Sequence, residues 1–250
     1  MPKKKGNAKK ASFIASDLKG AGGGAQGGGA QAQGTRQHGG YNPFDSFASA
    51  LENPLLVPSS KRPLYREDIF AVSPLLSEDE CEACVAAAEQ RGFEAATQFA
   101  SKTHAFRDND RLECVHPRLA EALWRRVCSF VPPEIDGRAA VGCNPRIRVY
   151  RYRVGQQFSA HIDGSVAEAD GSHSAHTMLV YLNGGGADEL RGGETVFYKG
   201  TGKKQKEALR VTPLRGLCLL HGHGHRCLLH AGAEVKRGVK YLLRTDVMYR

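Results

Sequence analysis

The segment R-V-Y-R-Y-R-V-G-Q-Q-F-S-A-H-I-D, residues 148–163, sets His161 and Asp163 two positions apart. In an extended chain, residues i and i+2 point to the same side, so an imidazole and a carboxylate would converge on one point. Two histidines and one carboxylate form the ligand set that holds non-heme Fe(II) on one face and leaves the other face open. The third donor must come from elsewhere. The candidates are the alternating His221, His223 and His225 of H-G-H-G-H and the lone His230 of L-L-H-A-G. Alternation with glycine reads as a loop rather than a rigid donor array.

Such donors need a scaffold that brings distant segments together. From residue 147 onward the apolar runs are short and separated by turn residues: 147–153, 177–182, 194–198, 217–221, 226–229 and 240–249. That spacing predicts successive strands. Two helices precede them. Ser77 and Glu80 have the spacing of a capping box, and Gly92 supplies a stop. Pro117 opens a second amphipathic run in which Leu119, Leu123, Val127 and Phe130 share a face before Pro132-Pro133. The expected fold class is α+β, mainly β: a double-stranded β-helix (jelly roll) with helices packed outside it. Cys81 and Cys84 fall on one turn of the first helix with no second pair at zinc-finger spacing, so they read as core thiols.

The 250 residues carry a formal charge of +9. Residues 1–57 are lysine-, glycine- and glutamine-rich with few large apolar side chains, and are expected to be a disordered basic tail. Residues 58–141 would then be helical support and 142–250 the catalytic jelly roll. The short lysine runs fit either a nucleic-acid or import patch or plain solubilising sequence. No run resembles a secretory leader or a membrane span. Seven cysteines, an odd number in apolar surroundings, argue for reduced thiols. The cytoplasm or nucleus is the expected location.

Several motifs in order give a closer resemblance. R-Y-R-V-G-Q-Q-F-S-A-H-I-D is similar to the first metal-binding strand of the prolyl 4-hydroxylase-like iron and 2-oxoglutarate-dependent dioxygenases. T-M-L-V-Y-L-N (177–183), R-G-G-E-T-V-F (191–197) and L-L-H-A-G-A-E-V-K-R-G-V-K-Y (228–241) follow as in that family. The resemblance implies Fe(II) held by His161, Asp163 and His230, with 2-oxoglutarate and O2 as cosubstrates and ascorbate as reductant. It selects His230 because only that histidine precedes G-x-x-V-x-x-G-x-K. It implies that Lys240 pairs the far carboxylate of 2-oxoglutarate, that Tyr181 and Thr177 add hydroxyls at that end, and that Tyr152 lies nearer the metal. Arg244, four residues beyond Lys240 and on the same face of a strand, is the competing carboxylate partner.

Substrate signals are sparser. R-D-N-D-R (107–111) is too polar for a core and is expected to be a loop over the site mouth, with Arg107, Asn109 and Arg111 as candidate substrate contacts. The resemblance implies a protein or peptide substrate. Nucleic-acid demethylation is a weaker alternative, because the ending K-Y-L-L-R-T-D-V-M-Y-R lacks the arginine pattern of that branch. A catalytically silent jelly-roll module is the alternative outside enzymes.

Overall fold

A computed structural model describes residues 42–101, 105–185, 190–200 and 202–250. The N-terminal part contains helix α1 (Pro43–Ala50), strands β1 (Ser60–Tyr65) and β2 (Ile69–Ser73), helix α2 (Glu78–Arg91), strands β3 (Glu94–Ala95) and β4 (Asp110–Val115), and helix α3 (Pro117–Val127). Strands β5 (Glu134–Ile135), β6 (Arg138–Cys143), β7 (Arg146–Tyr152), β8 (Phe158–His161) and β9 (His173–Tyr181) follow. The chain continues through β10 (Arg191–Gly192), β11 (Thr195–Lys199), β12 (Lys206–Val211), β13 (Cys218–Gly222), β14 (Leu229–Gly232), β15 (Val235–Arg237) and β16 (Lys240–Tyr249).

Two sheets face each other. The larger runs β1-β2-β13-β9-β16-β7-β4-β3, and β6 also pairs with β16. The smaller runs β12-β11-β14-β8. Their inner faces form the double-stranded β-helix, and the helices pack on the outer face of the larger sheet. The period-two alternation of each strand divides the core accordingly. On β9, Leu179 and Tyr181 face between the sheets while Met178 and Val180 face the helices. Leu242 and Leu243 of β16 split the same way.

The helices form where expected. Both capping-box hydrogen bonds are present: Ser77 N–H donates to Glu80 and Glu80 N–H to Ser77 Oγ. Cys81 and Cys84 are fully buried in the core beneath α2, and burial pushes the Cys81 thiol up to about 12. In α3, Arg126 makes a two-pronged ion pair with Glu80 at 2.6 Å and donates to Leu51 O. One side chain thus ties together the ends of all three helices.

Four expectations need correction. The stretch 1–57 is not tail throughout, because α1 lies in it. Asn42 caps the helix, Pro43 occupies its first turn, and Phe44, Phe47 and Ala48 are buried. Residues 1–41 lie outside the described residues. The segment 58–141 is not mainly helical, since it holds β1 to β5 and most of β6 beside its two helices. The strand expected at 226–229 begins three residues later, at Leu229, after a short 3-10 turn at Gly224–Arg226. Finally, 110–115 is a strand rather than a loop. Its charges are matched across the pairing with β7, Arg151 to Asp110 and Arg148 to Glu113, each at 2.8 Å, which lets a polar segment sit in a sheet.

Candidate metal centre

Strand β14 bridges two others, placing His230 opposite His161 of β8 and opposite Phe197 of β11. Asp163 follows two residues after His161. The result is a buried group in which donor atoms of His161, Asp163 and His230 all lie within 4.8 Å of one another. His161 Nε2 stands 3.5 Å from Asp163 Oδ1, and His230 Nε2 stands 3.8 Å from Asp163 Oδ2.

The tautomers follow from the partners. His161 Nδ1 lies 2.9 Å from Ser159 O, and His230 Nδ1 lies 3.0 Å from Leu228 O. A carbonyl only accepts, so each Nδ1 carries the proton and each Nε2 presents a lone pair to the centre. Metal-binding imidazoles are oriented in this way. Burial, reinforced by His230, holds His161 down to about 4, so it is neutral at physiological pH. Burial would raise the Asp163 carboxyl, but Arg244 foremost and the imidazoles around it hold it below the ordinary carboxylate range. Two neutral imidazoles and one ionised carboxylate are the protonation states that a divalent cation requires.

A polar chain fixes the carboxylate. Thr177 Oγ1 donates to Asp163 Oδ2 at 2.6 Å. Its single proton is thereby used, so it accepts from His223 Nε2 at 2.7 Å, and His223 Nδ1 accepts from Ser174 Oγ at 3.0 Å. Arg244 reaches the same Oδ2 at 3.2 Å and also contacts Asp246 at 3.5 Å. With Oδ2 held by two donors, Oδ1 is the oxygen left to bind an ion.

This geometry revises several expected roles. Lys240 and Arg244 both face inward on β16, but they serve opposite ends of one cleft of about 440 Å³. Lys240 is buried between the rings of Tyr152 and Tyr181, at 5.4 and 5.5 Å, and donates to Gly193 O at 2.6 Å. Burial pushes its amine down to about 8. Arg244 is engaged at the metal end. Thr177 was expected beside Lys240, but it lies four residues along β9 from Tyr181, about 13 Å away at strand rise, and bonds Asp163. Thr195 takes its place, 2.7 Å from Tyr181 Oη, and nothing in the sequence alone distinguished it. Tyr152 stands opposite Lys240 rather than nearer the metal; Tyr150, two residues earlier, is the tyrosine toward Arg244.

Of the three substrate candidates, Arg107 reaches the cleft wall. Its guanidinium lies 5.3 Å from the ring of Phe158, which stacks on His161 at 3.7 Å. Asn109 is buried against the backbone of Asp110, and Arg111 faces Tyr150 across the sheet; neither lines the cleft. The glycine-spaced histidines are not a loop as a group. His221 ends β13 and His223 belongs to the Thr177 chain, both buried, while His225 is exposed.

Residues 147–245 match the model of the 2OG-Fe(II) oxygenase superfamily. A curated relative, probable prolyl 4-hydroxylase 11 of Arabidopsis thaliana, is 32% identical over 106 residues, which is 42% of this chain and 32% of that protein. The chain therefore aligns with about a third of that relative's length. In structure the protein resembles the viral collagen prolyl hydroxylase of Paramecium Bursaria Chlorella virus-1 in complex with 2OG. The TM-score is 0.53 at 20% identity, covering 73% of this chain and 97% of that one. It also resembles a Trichoplax adhaerens prolyl hydroxylase in complex with a hypoxia inducible factor peptide fragment, with a TM-score of 0.53 at 17% identity, covering 73% and 84%. These two structures share the fold. Over residues 147–245, where every donor of the cluster lies, this chain is a 2OG-Fe(II) oxygenase of the prolyl 4-hydroxylase-like kind.

Proposed function

We propose that the protein is an Fe(II)- and 2-oxoglutarate-dependent dioxygenase that hydroxylates a protein or peptide. The observation that carries this reading is the convergence of His161, Asp163 and His230 with both imidazole lone pairs turned inward. With Fe(II) bound, the centre would couple oxidative decarboxylation of 2-oxoglutarate by O2, giving succinate and CO2, to transfer of the second oxygen atom into a substrate C–H bond.

The chain's own residues supply position and charge. His161, Asp163 and His230 hold the ion through three donors, while Thr177 and Arg244 keep Asp163 from turning. Lys240 pairs with the far carboxylate of 2-oxoglutarate, and the Tyr181 and Thr195 hydroxyls lie beside it as further donors. Tyr150, Tyr152, Leu179 and Leu242 wall the cleft with apolar surface, which strengthens these contacts by excluding water. Phe158 covers His161, and Arg107 over Phe158 marks the side from which a substrate approaches. Ascorbate would return iron oxidised in unproductive turnovers to the ferrous state.

A peptide substrate is favoured because the arginines of β7 are already matched. Arg146 and Arg148 pair with Glu113, and Arg151 pairs with Asp110 and Glu89. That leaves no unpaired basic stripe on this strand for a phosphate backbone. The six buried free thiols favour a reducing compartment, cytoplasm or nucleus. No helix among the described residues is long and apolar enough to cross a membrane.

The test is succinate release by the purified full chain with Fe(II), 2-oxoglutarate and ascorbate, against prolyl peptides. Stimulated release and a mass gain of one oxygen atom on the peptide are expected, both abolished in His161→Ala and Asp163→Ala. Equal succinate release by wild type and those variants would overturn the assignment.

A further inference from the structure

His221 is unlike the other histidines of the centre. His161 and His230 each bond a backbone carbonyl through Nδ1, and both ring nitrogens of His223 are engaged. His221 is only 1% exposed, yet neither of its ring nitrogens has a hydrogen-bond partner. Buried polar atoms are rarely left in that state, and each exception calls for an explanation such as an ion.

Its surroundings point to one. The His221 ring lies 4.4 Å from that of His230 and meets Phe197 edge-on at 5.4 Å, and its Nε2 is 3.8 Å from Asp163 Oδ2. Two donors bound to one ion at about 2.1 Å stand about 3.0 Å apart when adjacent and about 4.2 Å apart when opposite. The separations of 3.5, 3.8 and 3.8 Å among His161, His221, His230 and Asp163 fall inside that range. Strand β13 fixes the approach, since His221 pairs with Thr177 of β9, the residue that holds Asp163.

We propose that His221 is a fourth protein donor to the metal, making a three-histidine, one-carboxylate centre in the resting protein. This rests on the metal reading above and goes beyond the two-histidine set expected from the sequence. Four protein donors leave two positions on a six-coordinate ion. 2-Oxoglutarate uses two and O2 needs a third, so His221 holds a position that it gives up when the cosubstrate arrives. An ion with no cosubstrate beside it is thereby less open to solvent oxygen.

Cobalt(II) substituted into the full chain provides the test. Each coordinated imidazole contributes one hyperfine-shifted N–H proton signal that disappears in D2O. Three such signals are expected in the protein with cobalt(II) alone and two after 2-oxoglutarate is added. His221→Phe, which keeps a ring against Phe197, should give two signals and a cobalt(II) dissociation constant raised on the order of 10- to 100-fold. Two signals in the wild type without 2-oxoglutarate would overturn the proposal, and this count stands even if the variant fails to fold. Three signals that persist with 2-oxoglutarate would keep the donor and overturn its displacement. His221, Cys227 and His230 form a second three-donor group, so a sulfur-to-cobalt charge-transfer band would put the ion there and overturn the proposal. Failure of the wild type to bind cobalt(II) at all would instead sink the metal reading on which it rests.

Discussion

Lys240 is a cation held in an apolar slot, so replacing it should move stability and binding in opposite directions. Its amine falls from 10.5 to about 8 because burial penalises the charge. A gap of roughly 2.5 pH units corresponds to about 3 kcal/mol spent to keep Lys240 protonated in the folded protein at pH 7. Lys240→Met keeps the stem between Tyr152 and Tyr181 and removes that cost. It also removes the bond to Gly193 O, worth about 1 kcal/mol. The variant should therefore be more stable at pH 7 by about 1–2 kcal/mol, a rise in Tm of roughly 2–8 °C for a chain of this size. Between about pH 8 and 10.5 the unfolded chain holds more protons on Lys240 than the folded one, so wild-type stability climbs with pH and the difference closes. Binding goes the other way. Losing a charge-assisted bond to the far carboxylate costs about 1.5–3 kcal/mol, so 2-oxoglutarate should bind roughly 10- to 100-fold more weakly to the metal-loaded, oxygen-free variant. Wild-type affinity should also fall above pH 8 while the variant's stays level. Scanning calorimetry at pH 7 and pH 9.5, with titration calorimetry for 2-oxoglutarate, reads both effects. A variant that melts earlier than wild type at pH 7, or that binds 2-oxoglutarate equally well, would refute the placement of the carboxylate at Lys240.

Two further expectations concern the supports of the site. Thr177→Val removes the donor to Asp163 Oδ2 and strands the His223 Nε2 proton, so metal affinity should drop on the order of 10- to 100-fold with about 1–3 kcal/mol of lost stability; Thr177→Ser should restore both, and a Val variant with wild-type affinity would show that the chain to Ser174 is not needed. Phe47→Ala should cost about 3–5 kcal/mol because Phe47 is fully buried beneath α2 and α3. Deleting residues 1–40 should leave the melting temperature where it was, whereas deleting 1–51 should lower it; equal melting of both truncations would return α1 to the tail.

The strands and helices were legible because their signals are local. Ser77 and Glu80 at capping-box spacing, Pro117 before an amphipathic run, and the alternation along β9 and β16 each follow from backbone geometry. The signals for α1 were also present: Asn42 before Pro43, Asp45 in the first turn, and Phe44, Phe47 and Ala48 on one face. The glycine-rich composition of the preceding residues hid them, because a helix of eight residues has little weight in a compositional argument over fifty-seven. Strand β4 was missed for the opposite reason. Its charges read as solvent-facing, and only the complementary charges of β7 make them compatible with a sheet.

The site divides along the same line. His161 and Asp163 could be read together because period-two geometry places them together whatever the fold. Thr177, Arg244 and His221 could not, because each acquires its role from register. Thr177 faces Asp246 of β16 and His221 of β13, and that alignment is fixed by long-range pairing. A two-residue slip of β9 would keep the same face inward but put Leu179 where Thr177 now meets Asp163, leaving the carboxylate without its hydroxyl donor. Arg244 makes the point most sharply. On the strand it is equivalent to Lys240, both inward and both basic, and only the depth at which each enters the cleft separates a cation for a carboxylate of the cosubstrate from one that secures a carboxylate of the protein. What the sequence could not convey was distance along the strand from the metal, and that distance assigns the two roles.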